Sequence, residues 1–212
     1  MKLLLTSSGI ANRSIAAALR ELTGKPSQES KVGFVPIAAN AEGRNKDWLI
    51  NQFLNLWRHG YNWIDIIDPT AADVQWEDRL KEVDIVFLSG GNTFHLLNQV
   101  RKTGFDKWLN KNLKNKVYVG GSASTILATP TIEVASTPPG DPNLPGLNDL
   151  TGLGWVNFEI EPHCDQDRFA VVEKYAKSKP YPVYGIDDET AIKVDGDRVE
   201  VISEGSWKLY DA

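Results

Sequence analysis

Five short apolar runs, at residues 2–6, 32–37, 63–67, 84–88 and 117–119, alternate with segments whose apolar residues recur at helical spacing. That alternation leaves few folds open. Ile15, Ala18, Leu19 and Leu22 fall on one face of a helix over 14–22, and Trp48, Leu49, Phe53, Leu56 and Trp57 do the same over 46–57, with Gly60 just beyond as a stop signal. Shorter helical patterns cover 74–81, 93–102, 105–113, 123–128 and 166–176. Buried strands that alternate with helices form right-handed βαβ units around a parallel sheet. The expected fold is therefore α/β and three-layered, a mostly parallel sheet flanked by helices in one domain over residues 1–212. Further runs at 158–161 and 183–186 read as strands, and 191–194 and 199–202 form a C-terminal β-hairpin across Asp195-Gly196-Asp197.

In open sheets of this kind ligands sit beyond the carboxyl ends of the strands. Two glycine-rich turns lie at such ends, Ser89-Gly90-Gly91-Asn92 and Gly120-Gly121-Ser122, which makes them candidates for one shared site. Residues 138–153, rich in Pro and Gly, match no regular element and read as a long loop.

Charge and cysteine content narrow the function classes. The 212 residues carry a formal net charge of −5, against a nucleic-acid binder, which needs clustered Lys and Arg. A single cysteine, Cys164, excludes an internal disulfide and fits a reducing compartment. The first residues hold three leucines before turning polar, short of the ~7–15 apolar residues of a secretory signal. No window approaches the ~18 apolar residues of a membrane span. A cytoplasmic protein without membrane or nucleic-acid partners is expected.

Val119-Gly120-Gly121-Ser122-Ala123-Ser124 is the strongest chemical signal. A strand that runs through two glycines into a serine and then a helix suits a nucleophile elbow, in which small neighbours let the backbone turn sharply and lift the hydroxyl above the sheet. The same pattern also suits an ordinary Gly-rich turn or a phosphate cradle. A serine needs a base. Of the three histidines, His59 ends a helix and His95 lies in the first turn of another, whereas His163 follows a strand at its carboxyl end and is the best base. Ile186-Asp187-Asp188-Glu189-Thr190-Ala191 supplies three carboxylates, any of which could orient the imidazole, although a solvated acidic turn reads equally well. The backbone N–H groups of Ala123 and Gly91 are candidates for an oxyanion hole. Cys164 adjoins His163, but neighbours on an extended chain point to opposite faces, so the two would not meet. One Cys and three scattered His show no metal-ligand spacing, and the Gly-Gly pairs match no dinucleotide or P-loop pattern. Neither a metal nor a cofactor is expected.

The set of segments resembles the peptidase E (α-aspartyl dipeptidase) and cyanophycinase family of serine peptidases. Ser89-Gly90-Gly91-Asn92-Thr93-Phe94 looks like its Gly-Gly-Asn-Thr signature and Gly121-Ser122-Ala123 its nucleophile segment. Residues 128–132 are similar to the run that follows, Pro162-His163 to the base segment, and residues 185–189 to the stretch with the acidic member. Residues 3–8 and 34–36 resemble its first two strands. The resemblance implies a fold like that of class I glutamine amidotransferases and a Ser122, His163, Glu189 triad acting on short peptides, including N-terminal aspartyl dipeptides. The family also raises an aspartate between Ser and His, for which Thr137 or Asp141 holds the nearest position. Asn92 and Arg168 would bind substrate, Arg168 taking the role of an arginine that holds an aspartyl carboxylate. Three departures stand out: Ser124 replaces a glycine, Thr129 stands where a cysteine is common, and the segment after His163 is shorter. The alternatives are a catalytically silent relative that binds a small acidic or peptide ligand, and an amidohydrolase on a non-peptide amide. The expected assembly is a monomer or homodimer.

Overall fold

Leu3 and Leu5 of the first strand point to one side of the central sheet and Leu4 to the other, all three without exposed surface. This two-sided burial dictates a layer of helices on each face. The computed structural model describes residues 1–43 and 45–211. In chain order its elements are β1 (Lys2–Thr6), α1 (Arg13–Thr23), β2 (Lys31–Val35), α2 (Asp47–Arg58), β3 (Trp63–Ile66), α3 (Trp76–Lys81), β4 (Ile85–Leu88), α4 (Thr93–Thr103), α5 (Phe105–Asn112), β5 (Val117–Gly121) and α6 (Ala123–Leu127). Then follow β6 (Glu159–Glu161), α7 (Gln166–Ala176), β7 (Val183–Ile186), β8 (Thr190–Asp195), β9 (Arg198–Ser203) and β10 (Trp207–Tyr210).

The main sheet runs β3-β2-β4-β5-β1-β8-β9. Its first five strands are parallel, and β8 and β9 add an antiparallel edge through the expected hairpin. The sheet is thus mixed. One face is covered by α1, whose Ile15, Ala16, Ala18, Leu19 and Leu22 join Leu4, Phe34, Ile85 and Phe87 in one core. The other is covered by α4, α5 and α6, which bury Phe94, Leu97, Phe105, Leu109 and Ile126 with Leu3, Leu5, Val86 and Leu88. Each fully buried Leu, Ile or Phe contributes about 1.5–3 kcal/mol.

One departure from the expected layout affects the site. The strands read at 158–161 and 183–186 do not join the main sheet. They pair in parallel as β6 and β7, and β10 adds antiparallel to β7 to make a separate three-stranded sheet. Phe169, Val172 and Ala176 of α7 pack on this small sheet. The β6–α7 connection carries His163 over the carboxyl ends of β1 and β5, where it meets Ser7 and Ser122, and Cys164 N–H ties it to Ile186 O at 2.9 Å.

Candidate active site

β5 lies between β4 and β1, with Gly121 opposite Thr6 and Gly120 opposite Leu88. Ser122 follows β5 at once. Its φ of 52° and ψ of −111° put a non-glycine residue in a sparsely populated, strained region. The strain is held from both sides. Ser122 N–H donates to Thr6 O at 3.0 Å, while its carbonyl accepts from Thr125 N–H at 2.8 Å and Ile126 N–H at 3.1 Å. Gly120 lets the new helix fold back, since a Cβ there would stand 2.9 Å from Thr125 N. The departure at Ser124 is accommodated in a definite way. Its side chain is fully buried and its hydroxyl donates to Ser89 O, stitching the elbow to the Gly90-Gly91 turn.

His163 lies beyond β6, also at positive φ (57°). Its Nε2 is 2.8 Å from Ser122 Oγ, and its Nδ1 is 2.6 Å from Asp188 Oδ1. An ionised carboxylate can only accept, so the proton sits on Nδ1 and Nε2 is left to accept from the serine hydroxyl. The hydrogen bond from His163 holds the Asp188 carboxyl well below the usual carboxylate range, against the opposing effect of burial and with help from Ser8 and Ser7.

The carboxylate on the imidazole is therefore Asp188, and the expected Glu189 is corrected. The turn between β7 and β8 sends its three acids different ways. Asp187 locks the turn, accepting from Glu189 N–H at 3.1 Å, from the Thr190 hydroxyl at 2.7 Å and from Ser206 N–H. Asp188 reaches the histidine. Glu189 accepts from Asn12 Nδ2 at 3.0 Å, and Asn12 in turn caps α1 by accepting from Ile15 N–H. Neither Thr137 nor Asp141 reaches the imidazole: Thr137 holds Arg168 and Asp141 accepts from Thr93 N–H at 2.7 Å.

Ser7, which the sequence reading did not single out, completes the network. It is fully buried, donates to Asp188 Oδ1 at 2.7 Å and accepts from the backbone N–H of His163 at 2.9 Å. One hydroxyl thus fixes the orienting carboxylate and the strained backbone that carries the base. Loss of a buried partner costs about 1–3 kcal/mol, a factor of ~5–150 in rate if it falls on the transition state. Ser7→Ala is expected to lower kcat within that range with little change in KM. An unaltered kcat in steady-state assays would remove Ser7 from the network.

Gly91 and Ala123 both lie beside Ser122, one from each Gly-rich turn. Among the described residues neither N–H donates to a protein acceptor. Gly91 has φ +133°, and a Cβ on it would land 2.3 Å from the backbone of Ala38. Only glycine brings this turn so close.

Two other expected site residues are committed elsewhere. Asn92 is 1% exposed; its Oδ1 caps α4 by accepting from His95 N–H at 2.8 Å, and its Nδ2 donates to Pro142 O at 3.0 Å. It is a buried helix cap that tethers the Pro-rich loop, with both polar side-chain atoms engaged by the protein. Arg168 reaches the cleft but gives its donors to the protein: Nε to Glu161 at 2.6 Å, Nη1 to Thr137 O and Pro138 O, and Nη2 to the Thr137 hydroxyl at 2.6 Å, with Glu161 as its ion-pair partner. Arg168 is the third residue of α7 and lies against β6 through Glu161.

Burial pushes the Cys164 thiol up to about 12, and its Sγ rests on Glu161 O, so it is no nucleophile. Neither the His59 nor the His95 ring hydrogen-bonds to a described residue. Among the described residues no group of three or more His, Cys, Asp or Glu is placed to hold a metal ion.

Ser122 and His163 sit between two lobes of one cleft. One, about 510 Å³, is lined by Asp141, Glu161, Asp165 and Arg168 among others; the second, about 500 Å³, by Trp48, Asn51, Gln52 and Glu189 among others. A hydroxyl, an imidazole and a carboxylate in series, beside two unspent backbone N–H groups, can carry out acyl transfer.

The family model described as peptidase family S51 matches residues 3–202. An uncharacterized peptidase of Pasteurella multocida is 27% identical over 177 residues, 80% of this chain and 84% of that one. A Peptidase E of Streptomyces coelicolor is 30% identical over 143 residues, which cover 62% of this chain and 57% of the relative. Among solved structures, a putative Peptidase E protein from Listeria monocytogenes superposes with a TM-score of 0.81 at 24% identity, covering 96% of this chain and 98% of that one. That likeness is one of fold: an α/β architecture with a mixed sheet flanked by helices.

Proposed function

Because the chain belongs to the peptidase E family, S51, we propose that it is a serine peptidase of short peptides, built on a scaffold like that of class I glutamine amidotransferases. The single observation that carries the reading is the relay from the Ser122 hydroxyl through His163 to Asp188, at 2.8 and 2.6 Å. His163 Nε2 takes the Ser122 proton as Oγ attacks the peptide carbonyl carbon. The carbonyl oxygen becomes an oxyanion held by the Gly91 and Ala123 N–H groups, each such donor contributing ~10²–10³ in rate. The imidazolium, its charge balanced by Asp188, then protonates the leaving amine, and the C–N bond breaks. Water, deprotonated by the same nitrogen, cleaves the acyl ester and restores the hydroxyl. The order Ser, His, Asp along the chain differs from the Ser, Asp/Glu, His order of α/β-hydrolases.

The size of the cleft fits short peptides. With its donors engaged by Glu161 and residues 137–138, Arg168 is not free to hold an aspartyl carboxylate or a small acidic ligand.

The test combines a fluorophosphonate probe with a dipeptide panel on the wild-type protein. Stoichiometric labelling at Ser122 together with turnover of dipeptides is the expected result. Labelling without dipeptide turnover points to an amidohydrolase acting on a non-peptide amide. A protein that does not label is a silent binder, and the peptidase reading falls.

A further inference from the structure

The lobe beside α7 is acidic, and its one guanidinium is spent. Asp141, Glu161, Asp165 and Asp167 line it, and Arg168 is the only lysine or arginine among its described lining residues. Arginine has five N–H donors. Those of Arg168 go to Glu161 Oε1, Thr137 O, Pro138 O and the Thr137 hydroxyl. A substrate carboxylate entering here would have to break these bonds while facing several like charges. A second, independent feature points the other way. Glu161 is 6% exposed, and its Oε2 accepts no hydrogen bond among the described residues. Burial pushes its carboxyl up to about 7, with the Arg168 guanidinium opposing. An unspent buried acceptor in a negatively charged lobe is matched by a donor that brings positive charge.

We propose that this lobe takes a cationic group of the peptide, either a Lys or Arg side chain next to the scissile bond or the free α-ammonium, and turns aspartyl substrates away. The inference rests on the serine-peptidase reading and names the substrate class of that same site. Asp165 and Asp167 are exposed and add their field at the mouth, where salt screens it; Glu161 acts at the wall.

The experiment measures kcat/KM for two dipeptide sets, X-Ala and Ala-X, with X as Lys, norleucine or Asp, each with a free and an acetylated N-terminus. Exposed ion pairs each contribute a factor of ~5 at most, so several together give about tenfold. The expected result is that the cationic form of a pair is cleaved about tenfold faster than its neutral counterpart, and that Asp is the slowest X. Preference for Lys over norleucine assigns the lobe to a side chain; loss on acetylation assigns it to the α-ammonium. The ratio should shrink toward one between 50 and 500 mM NaCl. It should also shrink in the double variant Asp165→Asn, Asp167→Asn, where Asn keeps the cap that Asp165 makes to Arg168 N–H. Aspartyl peptides cleaved as fast as lysyl ones, or no response to either lysine replacement or acetylation, would overturn the proposal. Fluorophosphonate labelling of the same samples separates the two failures. A labelled enzyme that prefers Asp overturns only the charge inference, whereas an unlabelled one overturns the serine mechanism itself.

Discussion

Ser122→Ala is expected to lower kcat/KM on dipeptides by about 10⁴–10⁶ and to abolish fluorophosphonate labelling, while the fold survives. The size of the loss follows from how the site works as a unit. Without the hydroxyl, the histidine has nothing to deprotonate but water, and the oxyanion donors stabilise only the slow direct attack. The fold should survive because the Ser122 hydroxyl does not hold the elbow: among the described residues its one hydrogen-bond partner is His163 Nε2, and the contacts that hold the elbow come from its backbone. Circular dichroism and melting temperature check that point, and steady-state kinetics with an active-site titration check the loss. A variant that keeps a tenth of wild-type turnover would show that the nucleophile lies elsewhere.

The second large effect separates two neighbouring acids. Asp188→Asn should lower kcat by about 10⁴ with little change in KM. An amide that turns its N–H toward Nδ1 imposes the wrong tautomer and leaves Nε2 unable to accept from the serine. Glu189→Gln should stay within about threefold of wild type, since Gln still accepts from Asn12 and touches no reacting atom. The comparison is made by kcat at fixed pH. Equal, large losses in both variants would refute the assignment of Asp188. Acid should not reproduce the Asp188→Asn effect near neutrality. The folded carboxyl sits below its ordinary value, so its contribution to stability is fully present above ~4 and is lost only as the pH falls toward the folded value.

Ser122 and His163 each follow a strand at its carboxyl end, which marked them in the sequence, but the parallel-sheet rule accounts only for Ser122: β6 lies in the separate sheet, and His163 is brought over by its N–H bond to Ser7 and by the Cys164–Ile186 tie. The acidic member was not. Three consecutive acids in a turn look alike in sequence, and what sorts them is a set of turn hydrogen bonds, chiefly those to Asp187, that no residue pattern records. Resemblance to relatives pointed one residue too far. Asn92 and Arg168 were misread for a related reason: a motif names residue types, and the partners that claim those side chains, Pro142 for one and Glu161 with Thr137 for the other, come from distant segments. Ser7 carried a signal that could have found it. It directly follows the first apolar run at its carboxyl end, as Ser122 follows β5; that Thr6 faces Gly121, which sets Ser7 level with Ser122, is seen only in the structure. The main sheet and its hairpin were readable from apolar runs. The separate β6-β7-β10 sheet was not, because a run marks a strand without naming its partner, and Trp207–Tyr210 is mostly exposed on both faces.

Ser122 and His163 both hold a positive φ, which suits glycine far better than either of them. Directed evolution toward heat resistance alone would push both positions toward glycine, and its most robust winners would be inert. Engineers seeking a hardier version should shield these two codons from randomisation and look for gains in the helices and the far edge strands instead.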